Sequence, residues 1–68
     1  MNKLELNKEI YSIHNIERVA KTYENYAEIK IYSGDETVQV VFKNCKYDFK
    51  VTMKEFENYL INLENTKL

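Results

Sequence analysis

Proline and tryptophan are absent from this 68-residue chain, and glycine, cysteine and histidine occur once each. Each scarcity excludes something. With no Pro, one Gly and 44% hydrophobic residues, the chain is neither a collagen-like repeat nor a flexible linker, and it should fold. A lone Cys45 cannot close an internal disulfide, and a secreted domain this small would usually carry several, so a reducing cytoplasm is the expected compartment. One histidine and one thiol do not make a protein-built zinc site or a Cys–His nucleophile pair without each other, so we expect no metal and no cofactor. Phosphate-binding loops need several glycines, and Gly34 is committed to a turn. Charge of either sign is not in excess: ten Lys+Arg against eleven Asp+Glu leave nothing to neutralise a nucleic-acid backbone or an anionic membrane. The opening MNKLELNKEI has no apolar run of the signal-peptide or membrane-spanning kind.

What is present is alternating hydrophobicity, sufficient for one domain over 1–68. Leu4 and Leu6 alternate with polar residues in a short first strand. From Ile13 the spacing changes to three and four, through Ile16, Val19, Ala20, Tyr23 and Ala27, predicting a helix over about 13–26. Ser12 is its natural N-cap, and Tyr11 is placed to staple onto Ile16. Alternation returns in AEIKIY and ETVQVVFK around Ser33-Gly34-Asp35-Glu36, where a two-residue loop with Gly34 at positive φ would pair Tyr32 with Thr37, Ile31 with Val38 and Ile29 with Val40. A second reversal at Asn44-Cys45 would lead into another strand through Tyr47, Phe49 and Val51. Thr52-Met53-Lys54-Glu55 then has capping-box spacing, opening a helix whose stripe is Met53, Phe56, Tyr59, Leu60 and Leu63 and whose polar end frays. The expected fold is α+β, in the order β-α-β-β-β-α, a small mostly antiparallel sheet with two helices packed on one face. A right-handed crossover would make the first strand parallel to the second.

His14 falls on the outer side of the first helix, and Cys45 in a turn reads as an exposed thiol. No nucleophile–base pair, metal triad or glycine-rich oxyanion loop can be assembled, so the chain is not expected to be an enzyme. Removing the first strand leaves the element order of a double-stranded RNA-binding domain. Thr52-Met53-Lys54-Glu55-Phe56-Glu57, however, puts two acids and one base where lysines would meet phosphates, so nucleic acid is not an expected partner. Tyr23, Tyr47 and Tyr59 fall on expected core faces. Tyr32 and Val41 fall on the open face of the sheet, and Ile61 points away from its helix's stripe. With Leu4 and Leu6 of the first strand, these are the candidate partner contacts.

Tyr11-Ser12 leading a helix with Ile16, Ala20 and Tyr23, then the hairpin, then Glu57-Asn58-Tyr59-Leu60-Ile61-Asn62-Leu63-Glu64, resemble the HxsD family of the His-Xaa-Ser peptide maturation system. The Asp and Arg of that family's tail are missing here. The resemblance implies a bacterial, non-catalytic accessory protein of ribosomal peptide maturation. Its partners would be a precursor peptide and a radical SAM maturase, which would itself carry the iron–sulfur cluster and S-adenosylmethionine. An unpaired sheet edge is a physical means of holding such a peptide, as an added strand. The alternative is a self-associating structural module, whose partner is a second copy of the chain.

Overall fold

Period-two alternation in KLELN, EIKIYS and TVQVVFK produces three strands, β1 (Lys3–Asn7), β2 (Glu28–Ser33) and β3 (Thr37–Lys43). Two helices, α1 (Ile13–Thr22) and α2 (Phe49–Asn65), complete the order β1-α1-β2-β3-α2 in a computed structural model describing residues 2–66. The sheet is antiparallel with order β1-β3-β2, so β3 is central. Being antiparallel to the same neighbour, β1 and β2 point the same way, the direction a right-handed β-α-β crossover would give them. Here, though, β3 is inserted between them.

The fold is the small α+β domain read from the sequence, less one strand. Tyr47, Phe49 and Val51 do not pair with β3. Phe49 and Val51 belong to α2, which Asp48 caps by accepting the Val51 N–H at 3.3 Å. Two periodicities overlap in this segment. Tyr47, Phe49 and Val51 alternate, but Phe49, Met53, Phe56, Leu60 and Leu63 also extend the helical stripe back by one turn, and burial favours the second arrangement. Phe49 packs on Phe42, ring centroids 5.6 Å apart, whereas Val51 remains 52% exposed. The β3 edge assigned to the extra strand is taken by β1, whose Leu4 and Leu6 lie opposite Val40 and Val38. Thr52, expected as an N-cap, lies buried inside the first turn and donates its hydroxyl to the Asp48 carbonyl at 3.1 Å.

The β2–β3 hairpin also differs in register. Ile31 lies opposite Val40, Ile29 opposite Phe42 and Tyr32 opposite Gln39, two places from the expected pairing. A slip of two leaves every side chain on its original face, so the core is unaltered. The turn centres on Asp35-Glu36, with Gly34 N–H donating to the Thr37 carbonyl at 2.8 Å, and no residue in it has positive φ. Glycine is used here for close approach: a Cβ on Gly34 would lie 3.2 Å from that carbonyl oxygen. The positive φ of 51° belongs to Asn44, at the β3–α2 reversal.

α1 begins where Ser12 accepts the Asn15 N–H at 3.1 Å, as expected, but it stops at Thr22. Residues 23–26 continue as turns, with Tyr26 N–H donating to the Tyr23 carbonyl, and Ala27 enters the core as β2 begins. No Gly or Pro marks that end. Both helices meet one face of the sheet, where Leu6, Val38, Val40 and Phe42 join Ile16, Val19, Phe56 and Leu60 in a single core. No helix among the described residues is long and apolar enough to cross a membrane.

Candidate functional site

Three surfaces remain for a partner: the outer edges of the sheet, its open face, and a cleft at one end of the helix pair. Edge chemistry follows from the ladder. Phe42 N–H donates to Asn2 and Lys8 N–H to the Glu36 carbonyl, so even-numbered residues of β1 bond β3, and Lys3, Glu5 and Asn7 turn their backbone groups outward. The Gly34–Thr37 bond sets the same alternation in β2, leaving Ile29, Ile31 and Ser33 outward. On β1 the Asn7 carbonyl already accepts from Ile10 and Tyr11. On β2, among the described residues, no backbone or side-chain group bonds the outward amides and carbonyls of Ile29, Ile31 and Ser33. Ile29 and Ile31 are half-buried against the core, so an added strand here would meet apolar surface as well as hydrogen-bonding groups.

The candidate contacts read from the sequence do not form one surface. Leu6 is 3% exposed and belongs to the core, and Leu4 packs beside it. Only their strand's backbone edge remains available. Tyr32, 56% exposed, and half-buried Val41 share the open face with Lys3, Glu5, Lys30 and Gln39, a polar surface. Ile61 lies on α2, a different element, at the margin of exposure. His14 is exposed in the first turn of α1. Cys45, expected in solvent, is half-buried against the core. Among the described residues no three His, Cys, Asp or Glu side chains converge as a metal set would.

A concavity at one end of the helix pair is one the sequence reading missed. The loop after β3 turns back on the end of α1, where Lys46 N–H donates to the Tyr26 carbonyl at 2.7 Å. This sets Tyr47 against Tyr26, ring centroids 6.1 Å apart, and Tyr26 in turn lies 5.8 Å from Tyr23. The three rings, with Asp48, Val51 and Glu55 of the α2 end, enclose a cleft of about 510 Å³. Tyr47, expected in the core, is 60% exposed here, and Tyr59, also expected there, is 42% exposed. Burial first, then the Glu55 carboxylate and the neighbouring Tyr59 and Tyr26, raise the Tyr23 pKa above that of an ordinary phenol, so its hydroxyl keeps its proton. The signal that could have found this cleft is Asp48 standing three residues before Val51, an N-cap that turns Tyr47 into a loop residue.

At the opposite end of the helix pair Glu64 replaces the expected frayed tail. Its carboxylate accepts the Ser12 N–H at 2.9 Å and the Asn15 side-chain amide at 3.0 Å, tying the end of α2 to the start of α1. Comparison of the chain with protein-family models, curated proteins and solved structures returned no match.

Proposed function

We propose that this chain is a non-catalytic accessory domain of ribosomal peptide maturation, working in a bacterial cytoplasm, that holds a precursor peptide as an added strand along β2 for a radical SAM maturase. The observation that carries the recognition step is the outer edge of β2, where Ile29, Ile31 and Ser33 present backbone groups with no partner among the described residues beside half-buried isoleucines. The choice of partners comes from the HxsD-like pattern of Tyr11-Ser12, Ile16, Ala20, Tyr23 and the Glu57–Glu64 segment. Chemistry is assigned to the maturase. The chain's one imidazole and one thiol belong to different segments, His14 in the first turn of α1 and Cys45 in the loop after β3.

The test is a titration of the isotopically labelled full chain with any short precursor-like peptide that its gene neighbourhood encodes. Strand addition predicts shifted and exchange-protected amides at Ile29, Ile31 and Ser33. Absence of any edge perturbation at about 100 μM peptide, with and without the maturase, overturns the proposal. Sedimentation over the same range separates the self-association reading, in which those amides are protected by a second copy before peptide is added.

A further inference from the structure

We propose that the tyrosine cleft between the end of α1 and the start of α2 is a cation site that takes the arginine or lysine side chain of a partner polypeptide. Three properties of the cleft point to this ligand class. First, the wall is aromatic: Tyr23, Tyr26 and Tyr47 form a chain of rings at centroid spacings of 5.8 and 6.1 Å, inclined to one another by 56° and 37°. A cation seated over the face of any of these rings is attracted by its quadrupole. Second, the charge lining it is of one sign. Asp48 and Glu55 contribute carboxylates, no Lys, Arg or His lines the cleft, and among the described residues no cationic side chain pairs with either acid. Third, its size, about 510 Å³, falls in the range of ligand pockets and exceeds what a guanidinium or an ammonium with its methylenes requires.

The apolar stem of such a side chain has a place as well. Val51 lies 52% exposed on the cleft's α2 wall, and Tyr26 is 43% exposed on the other. Asp48 already spends one carboxylate oxygen on the Val51 amide, which fixes that carboxylate in position. The proton held on Tyr23 leaves the site's negative charge on the two carboxylates. The choice of a polypeptide over a free amine rests on the strand-addition reading: Tyr26 stands two residues before β2, no more than about 7 Å of chain from the edge along which a peptide would lie.

The test titrates the labelled full chain with three probes: the tripeptide acetyl-Gly-Arg-Gly-amide, its citrulline counterpart and methylguanidinium. The arginine tripeptide should shift the amides of Tyr26, Tyr47, Asp48 and Val51, and citrulline should bind at least about fivefold more weakly. Tyr47→Ala and Glu55→Gln, both at exposed side chains, should each weaken the tripeptide about three- to fivefold while leaving the spectrum of the fold intact. Equal binding of citrulline, or no shift at about 10 mM tripeptide, overturns the cation site. Methylguanidinium binding as tightly as the tripeptide overturns the polypeptide source. These readouts are separate from the Ile29, Ile31 and Ser33 amides, so either proposal can fail without the other.

Discussion

The Asn15 side-chain amide, 4% exposed in residue terms, donates to the Glu64 carboxylate at 3.0 Å across 49 residues of sequence. The same oxygen takes the Ser12 N–H, so one acid on the last turn of α2 satisfies both a buried side chain and a backbone donor at the mouth of α1. This polar contact sits at one end of the helix pair, with the tyrosine cleft at the other.

Removing that acid leaves a buried donor unsatisfied. Glu64→Ala should cost about 1–3 kcal/mol, read from the urea midpoint, and Asn15→Ala should cost less in the Glu64→Ala background than in the parent. Additive losses in that cycle would show that the two side chains do not act as a pair.

The start of α2 gives a second prediction. Asp48→Ala should destabilise by about 1 kcal/mol through loss of the cap, and Asp48→Asn by much less. Thr52→Val, which keeps the buried volume and removes only a hydroxyl bonded to a carbonyl within the helix, should cost less than Asp48→Ala. The reverse order would restore Thr52 as the N-cap.

Burial separates neighbours in the same helix. Phe56 is fully buried, its ring 5.3 Å from Phe42 and 5.9 Å from Tyr23, and Phe56→Ala should cost about 3–5 kcal/mol. A domain of this size has little more than that to lose, so the variant should show no cooperative thermal transition. Val51→Ala should change stability by under about 0.5 kcal/mol.

Asn44 tests the reversal after β3. At φ 51° a β-carbon is strained, and the side-chain amide of Asn44 donates to Glu28 at 2.9 Å. Asn44→Ala should therefore cost about 1 kcal/mol in chemical denaturation, while Asn44→Gly, which relieves the backbone, should remain near the parent.

Tyr23 makes alkaline stability the last prediction. Its folded pKa is raised, chiefly by burial, so the unfolded chain loses that proton first. The contribution is complete below the ordinary phenol pKa of about 10 and is lost as pH rises through the folded value. The urea midpoint should fall above about pH 10, and Tyr23→Phe should shrink that fall.

The faces of β1, β2 and β3 and the Ser12 cap were legible in the sequence because each depends on neighbours within a few positions, where alternation and hydrogen-bonding reach act directly. The hairpin register, though two places off, preserved those faces because a strand repeats every second residue. Candidate contacts fared less well: Leu6 proved to be core, and the cleft's tyrosines were divided between a supposed strand and a supposed helix. Local spacing alone set which side chains share a face in the first strand, the first helix and the β2–β3 hairpin, and the order of those four elements. Whether Phe49 would serve a strand or a helix, that β1 rather than a fourth strand flanks β3, that Glu64 meets Asn15 and that Tyr47 meets Tyr26 were decided by tertiary packing. Each is a competition for the same buried surface between segments distant in the chain, and its outcome depends on which arrangement leaves fewer apolar groups and hydrogen-bond donors exposed or unpaired.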